Sequence, residues 1–366
     1  MPYIPPTTHI TLFATLKRER LLPMPGEVLV HEAQHVEATD VVARATIAEE
    51  HRLLDVAREL GVPNDKADQY IVKNNGEVVK KGEALAVRKM ALGLVPRPVR
   101  SPVDGMLVVA GEGKALLAVV SQPFELRAGL PGSINRVIDT RGVILEMTGA
   151  LLQGVWGNSS PDSLFAKEAF AVMRVVGSTR TDALLPDHID VSLRGTILVA
   201  GTLPDDTAFR KLADVRVRGL VLGSLKSELI PLILKLDLPV VVTDGFGQQG
   251  FSPAAYSLLV SNTGREVWLN ARTWDRFAGE RPEVIIPLPA PGQTPPNLVE
   301  GEPLANGKRV RIVRGPEAGR VGMVVALSER TETIPSGLRT RVATVEFDQH
   351  EIPAVKVAFA NLEIIE

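Results

Sequence analysis

Gly195-Thr-Ile-Leu-Val-Ala-Gly201, Gly219-Leu-Val-Leu-Gly-Ser224 and Pro239-Val-Val-Val-Thr-Asp-Gly-Phe-Gly247 are the three segments on which the fold depends. Each is a short apolar run rich in valine and leucine, and an amphipathic segment separates each run from the next. This alternation is typical of buried parallel strands joined by helical crossovers. It predicts a Rossmann-like α/β domain with a parallel sheet over residues 166–288.

Helix signals occupy the segments that follow these strands. Phe209, Leu212 and Val215 share one face of a helix predicted from Thr207 to about Val217. A second helix is predicted from Glu228 to Leu236, and a third begins after Ser252, which is placed to act as its N-cap before a proline.

Polar side chains follow the predicted strands at the edge where parallel sheets bind ligands. The loop Gly223–Ser227 offers backbone N–H groups and a lysine to an anion. Aspartate, serine and glycine are also the residues that caps and turns require, and this structural interpretation is favoured. The candidate ligand-binding residues are Thr202, Ser224, Lys226, Ser227, Thr243 and Asp244.

The N-terminal part contains short strands with glycine turns. Val79-Lys-Lys-Gly-Glu-Ala-Leu-Ala86 is followed by Ser101-Pro-Val-Asp-Gly105. This pattern resembles the barrel-sandwich hybrid of biotinyl and lipoyl domains, and the resemblance implies a β-rich fold and no function. Lys89 lacks the spacing of a biotin or lipoyl acceptor, so we expect a surface lysine there.

One helix is predicted within this N-terminal unit, from about Ala48 to Leu60. Its apolar residues recur at helical spacing, and Gly61 and Pro63 follow as stop signals. A hairpin is predicted around Thr140-Arg-Gly142 in the segment that connects the N-terminal unit to the α/β domain.

Near the C-terminus the chain carries Gly307-Lys-Arg-Val-Arg-Ile-Val-Arg-Gly-Pro-Glu-Ala-Gly-Arg-Val-Gly-Met-Val-Val325. This stretch resembles the KOW motif of SH3-like β-barrels in bacterial transcription elongation factors and ribosomal proteins. The resemblance implies a small barrel that binds RNA or protein, or that packs within its own chain. Strand alternation predicts Val310 and Ile312 inside, with Arg309 and Arg311 outside.

These basic residues predict a phosphate-binding edge on the barrel. Aromatic residues are only 4% of the chain, which favours phosphate or protein contacts over base stacking. A net charge of −2 argues against a surface that grips nucleic acid over its whole extent. The candidate nucleic-acid-binding residues are Lys308, Arg309, Arg311, Arg314 and Arg320.

Composition excludes several kinds of chemistry. The chain has no cysteine, so disulfides, thiolate nucleophiles and cysteine-ligated metals are excluded, and a cytoplasmic location is expected. No signal peptide or membrane-spanning run is predicted. His31 and His35 have zincin-like spacing, but the predicted strands around them argue against a metal site. No metal, cofactor or catalytic residue is predicted.

Together these features predict a multidomain α+β protein. Its leading predicted function is non-catalytic binding of RNA, the ribosome or the transcription machinery through the KOW-like barrel. The alternatives are a structural or assembly protein whose β modules contact other proteins, and an α/β protein that binds a small anion. The predicted units are 1–123 (barrel-sandwich-hybrid-like), 124–165 (connecting), 166–288 (α/β), 289–306 (proline-rich linker) and 307–366 (KOW/SH3-like).

Overall fold

The computed structural model places most of the chain. Lys89 lies outside the described residues. The described residues are 2–46, 48–88, 96–120, 123–160, 163, 165–275, 279–290, 292, 295–298, 301–347 and 353–365.

Strands dominate the architecture. In chain order they are β1 (Thr7–Thr8), β2 (Ile10–Leu21), β3 (Glu27–Val28), β4 (His35–Val36), β5 (Val41–Ala45), β6 (Ala48–Asp55), β7 (Val78–Val79), β8 (Ala84–Arg88), β9 (Arg97–Arg100), β10 (Gly105–Gly111), β11 (Lys114–Val120), β12 (Phe124–Arg127), β13 (Gly132–Ile138), β14 (Gly142–Gln153), β15 (Trp156–Gly157), β16 (Glu168–Val175), β17 (Ile197–Leu203), β18 (Gly219–Leu225), β19 (Val240–Phe246), β20 (Glu266–Asn270), β21 (Glu283–Pro287), β22 (Arg309–Ile312), β23 (Val321–Leu327), β24 (Glu332–Thr333), β25 (Arg339–Thr340), β26 (Val342–Phe347), β27 (Val355–Ala358) and β28 (Leu362–Ile365).

The α-helices are short. They are α1 (Val56–Leu60), α2 (Asn64–Ala67), α3 (Thr207–Val215), α4 (Ile230–Ile233) and α5 (Pro253–Ser261). Single 3₁₀ turns cover Asp68–Tyr70, Pro186–His188, Val191–Leu193, Ser227–Leu229 and Phe359–Asn361. Among the described residues, no helix has the length and apolar character needed to cross a membrane.

The prediction of a Rossmann-like α/β domain is wrong. The structure is 45% strand and 14% helix, and its sheets are mixed or antiparallel. The three apolar segments do form the parallel strands β17, β18 and β19, beside a parallel β16. They belong, however, to an eleven-stranded sheet of order β15-β19-β18-β17-β16-β20-β21-β14-β13-β4, with β2 also paired to β14. The other seven pairings of this sheet are antiparallel.

The helices of this region follow the sequence only in part. α3 begins at Thr207 as predicted, and α5 has Ser252 as its N-cap, with the Ser252 side chain accepting from the N–H of Ala255. The helix predicted from Glu228 to Leu236 is reduced to a 3₁₀ turn and α4, and neither Ser224 nor Ser227 caps it. β18 and β19 are therefore joined by a much smaller crossover than a doubly wound sheet has.

A second small sheet forms a unit of its own inside the N-terminal part. β6, β11, β10 and β7 pair in that order and cover a separate core that includes Leu60, Leu85, Leu107 and Leu117. This inserted unit, residues 48–120, lies between β5 and β12 in the chain, and β5 and β12 are themselves paired. Both ends of the inserted unit are therefore connected to two neighbouring strands, β5 and β12.

The predicted helix from Ala48 to Leu60 is wrong over its first half. Residues Ala48–Asp55 form β6, and only Val56–Leu60 form α1. Asp55 accepts from the N–H of Arg58 at the start of α1, and Gly61 ends the helix with a φ of 67°. The apolar residues fit both the strand repeat and the helix repeat. Leu54 faces the core from the strand, while Val56 and Leu60 face it from the helix.

The C-terminal sheet includes the N-terminal end of the chain. Its order is β1-β28-β22-β23-β26-β27, and β1 runs parallel to β28. Val310, Ile312, Val345 and Ile364 fill its core, as the predicted inward alternation of β22 requires. Thr7 and Thr8, which the sequence assigns to the first unit, therefore complete the sheet of the last one.

Candidate functional site at the junction of two sheets

The candidate ligand residues on β17 and β18 are buried in the sheet. Thr202 pairs with Ser224 across these strands, and the Ser224 hydroxyl accepts from the N–H of Gly250 at 3.0 Å. A Cβ at Gly223 would lie 2.2 Å from the N of Phe251, so the backbone of residues 250–251 presses directly against β18. Gly223 and Ser224 therefore serve strand packing and do not form an open loop.

The next two candidates lie just beyond β18. Lys226 donates from Nζ to the carbonyl of Pro204 at 2.9 Å, and Ser227 is an exposed residue at the start of a 3₁₀ turn. This bond links the residue that follows β18 to the residue that follows β17. It is engaged in the fold and not directed at a ligand.

The remaining pair, Thr243 and Asp244, lies where β19 meets the C-terminal sheet. The Thr243 hydroxyl donates to the Asp244 carboxylate at 2.7 Å. Arg311 of β22 donates to the carbonyl of Thr243 at 3.1 Å and to Asp244 Oδ1 at 3.2 Å. One predicted ligand residue and one predicted RNA-binding residue are thus partners of each other.

The outward orientation predicted for Arg311 is wrong. Arg311 is only 2% exposed, and its guanidinium reaches Glu363 of β28 at 2.8 Å as well as Asp244. Strand alternation puts Arg311 on the face opposite Val310 and Ile312, but that face lies against the central sheet and not against water. Two carboxylates compensate the charge, as burial of a guanidinium requires.

The charge network continues beyond this pair. Arg281 donates to Glu363 Oε1 at 2.9 Å and to the hydroxyl of Thr8 at 2.6 Å. Thr8 in turn donates to Glu363, and the guanidinium carbon of Arg281 lies 4.0 Å from the ring centroid of Trp274. Glu363 of β28 therefore forms one buried cluster with Thr8 of β1 and with Arg281, which lies just before β21.

The pKa values of Glu363 and Arg311 shift in the directions that keep both groups charged. Burial alone would raise the pKa of Glu363, but the charges of Arg311 and Arg281 outweigh it and hold the pKa below its usual range. Burial alone would lower the pKa of Arg311, but Glu363 and Asp244 outweigh it and raise that pKa. Arg311 and Glu363 therefore both stay charged throughout the neutral pH range.

The other predicted RNA-binding residues occupy several environments. Lys308 is ion-paired with Glu302, whereas Arg309 and Arg314 are exposed. Arg320 pairs with Glu317 at 2.9 Å and stacks over Phe347 at 5.4 Å. The five residues therefore do not form one continuous basic edge.

A crevice of about 420 Å³ opens where the two sheets meet. Arg180, Asp244 and Phe251 line it from the central sheet, and Arg320 and Phe347 line it from the C-terminal sheet. Gln249 bridges the two sides by donating to the carbonyl of Ala318 at 3.2 Å. The crevice thus has an arginine on each of two walls.

The loop after β16 holds Arg180 in this crevice. Arg180 donates to the carbonyls of Phe251 at 2.8 Å and Gln249 at 3.2 Å. Asp182 fastens the loop by accepting from the N–H groups of Ser178 and Thr179, and the hydroxyl of Thr179 also donates to it. These bonds, the Thr179 hydroxyl first, hold the pKa of Asp182 below its usual range.

The site residues that the sequence did not reveal are Arg180, Arg281 and Glu363. Arg180 lies in the irregular segment between β16 and β17, where no periodicity gives its direction. Glu363 alternates with apolar residues in the last strand, a pattern that normally indicates an exposed side chain. Only the contact between the two sheets explains the positions of these groups.

No protein-family model matches this sequence, and no curated protein matches it at a significant level. Within the described ranges, no group of three or more histidine, aspartate or glutamate side chains is placed to hold a metal ion. The chemistry of the site is therefore argued from its own residues.

We predict that Arg311→Met lowers the free energy of unfolding by about 3 kcal/mol, because it leaves Asp244 and part of the charge of Glu363 buried without a cation. Urea unfolding measures this loss. Arg309→Met, on the same strand but exposed, is the matched control and should change stability by no more than about 0.5 kcal/mol. Equal losses for the two variants would contradict the role assigned to the network.

The lowered pKa of Glu363 predicts a dependence of stability on pH. Its carboxylate stabilises the folded state fully above the unfolded pKa of about 4.3, and this contribution is lost as the pH falls through the lower folded pKa. Glu363→Gln should therefore be less stable than the wild type at pH 7, and the difference should shrink under acid. Urea unfolding from neutral to acidic pH checks this, with the exposed Glu266→Gln as control. A difference that stays constant across the range would refute it.

Proposed function

We propose that this chain is a non-catalytic binding protein that holds a phosphate-bearing ligand in the crevice between its central and C-terminal sheets. The observation that carries the proposal is that Arg180, from the loop after β16, and Arg320, the residue before β23, line the same crevice. A guanidinium presents several N–H donors in a planar fork that matches phosphate oxygens. Two such groups lining one crevice suit a phosphate dianion better than a singly charged carboxylate.

The state of Arg180 supports this proposal. Its NH1 group is occupied by two backbone carbonyls, which fixes the plane of the guanidinium and leaves its other N–H groups for a ligand. In the part of the chain that the structure describes, Arg180 has no carboxylate partner within ion-pair distance. A fixed arginine without a counter-ion is well prepared to bind an anion.

The remaining walls are also compatible with such a ligand. α5 begins at the crevice with Ser252 and Pro253, so the positive end of a nine-residue helix adds to the two arginines. Phe251 and Phe347 border the crevice as buried residues, and a volume of about 420 Å³ lies in the range of small-ligand sites. Asp244 is neutralised by Arg311 and so does not oppose an anion strongly.

The phosphate can come from an RNA backbone or from a small phosphorylated molecule. The RNA source keeps the function predicted from the KOW-like motif, with Arg309 and Arg314 extending the contact beyond the crevice. Burial of Arg311 removes one of the five residues on which that prediction rested. A small phosphorylated molecule would contact the crevice only and would not reach Arg309 and Arg314.

We predict that Arg180→Ala and Arg320→Ala each weaken phosphate binding about tenfold or more, because each removes a charge-assisted hydrogen bond of roughly 1.5–3 kcal/mol. Glu317→Gln should strengthen binding, because it releases Arg320 from its ion pair. Arg210→Ala, which removes an exposed arginine from α3, is the matched control. Calorimetric titration with a ribonucleoside monophosphate and with short single-stranded RNA measures these effects.

The same titrations distinguish the two sources. RNA binding should weaken steeply with added salt and should also weaken in Arg309→Ala and Arg314→Ala. Binding of the monophosphate should not respond to those two substitutions. If neither probe binds, or if Arg210→Ala is as harmful as Arg180→Ala, the proposed function is wrong.

The barrel-sandwich-hybrid and KOW resemblances, the cytoplasmic location and the lack of catalysis stay predictions. The alternative of a structural or assembly protein, whose β modules contact other proteins, also stays a prediction and does not depend on the crevice.

A further inference from the structure

The inserted unit has an open sheet edge. Within the part of the chain that the structure describes, β6 is the outer strand of the order β6-β11-β10-β7 and pairs only with β11. Four consecutive residues, Glu50 to Leu53, are exposed, which is the pattern of a strand with no neighbour on its outer side. No backbone group of Glu50 to Leu53 is bonded to another described segment on that side.

This edge carries charged side chains, which are one common protection of sheet edges, but it is neither short nor interrupted by proline. Natural edges are commonly short, bulged or interrupted by proline. The opposite edge of the same sheet, β7, has only two residues, whereas β6 has eight and contains neither proline nor glycine. Leu53 on β6 is 63% exposed and lies in register with Leu116 on β11 and Val109 on β10, where Val109 is 48% exposed.

The charges of the edge select a partner. Glu50 and Arg52 lie on one face of β6, and His51 and Leu53 lie on the other. Two copies of β6 that pair antiparallel about a two-fold axis must place each residue opposite a residue on the same face. An axis through Glu50 sets Glu50 against its own copy, and an axis through Arg52 sets arginine against arginine. An axis through His51 sets each Glu50 opposite the Arg52 of the second copy.

We propose that two copies of this chain associate through β6, antiparallel, with the two-fold axis at His51. The partner strand satisfies the outer backbone groups between Glu50 and Leu53. It also places each Glu50 opposite the Arg52 of the second copy, in addition to the ion pair that Arg52 makes with Glu50 of its own chain at 3.1 Å. Opposite charges directly across neighbouring strands stabilise an antiparallel pairing, and like charges destabilise it. The product is a continuous eight-stranded sheet built from two four-stranded ones.

Charge reversal tests this pairing in the full-length chain. Glu50→Arg sets arginine against arginine at both symmetric positions, and Arg52→Glu sets glutamate against glutamate. Each single variant should raise the dimer dissociation constant at least about tenfold in sedimentation equilibrium. The double variant, with both substitutions, should dimerise as the wild type does. Arg210→Glu, on exposed α3, is the control and should leave the dimer unchanged.

Mixing the two single variants gives the sharpest readout. In the heterodimer, both positions again hold one arginine and one glutamate, so association should return to the wild-type level. A wild-type chain that stays monomeric across the concentration series would overturn the proposal. So would reversals without effect, or a mixture that fails to associate. Phosphate binding should be the same in all these variants, so this test is independent of the crevice.

Discussion

Arg311 carries a full positive charge into the space between two sheets, and the arrangement around it has to neutralise that charge. Asp244 from β19 and Glu363 from β28 do so, and Arg281 balances the second carboxylate from another side. A buried ion pair contributes little net stability compared with apolar packing, but removing one partner is severe. The network therefore acts chiefly by fixing which residues of the two sheets meet.

The crevice is a consequence of that fixed contact. With β22 held against the end of β19, the turn between β22 and β23 lies over Gln249, and a Cβ at Gly319 would lie 2.0 Å from the Gln249 side chain. Arg320 follows directly in the chain and lines the same crevice as Arg180. Neither sheet alone has the pair of arginines. The proposed ligand site therefore depends on the buried charges, although neither of its arginines belongs to the network.

The sequence predicted local structure well where one signal dominates. Uniformly apolar runs became buried strands, the hairpin at Thr140 formed, and Ser252 caps α5. The sequence did not predict that β20 pairs antiparallel with β16, because pairing partners lie far apart in the chain. Residues 48–60 carried apolar spacing that suits both a strand and a helix, and the core settled the division at Asp55.

The site was harder to predict than the fold. Alternation correctly put Arg311 on the face opposite Val310, but no local pattern shows that a second sheet covers that face. Asp244 was found because strand ends carry polar residues, yet its partner is an arginine of the same chain. Arg180 stands in a loop without periodicity. Such positions follow from tertiary contacts alone.

The parallel pairing of β1 with β28 has a consequence for how the chain folds. Thr8 and Glu363 are 355 residues apart, so the pairing of β1 that the structure describes cannot form until β28 has been synthesised. Closing so long a loop costs conformational entropy before any contact repays it, and such distant contacts slow folding. The central and inserted sheets can form earlier. We expect the segment around Thr8 to pair with β28 only after the rest of the C-terminal sheet has formed, and this pairing completes the burial of Glu363.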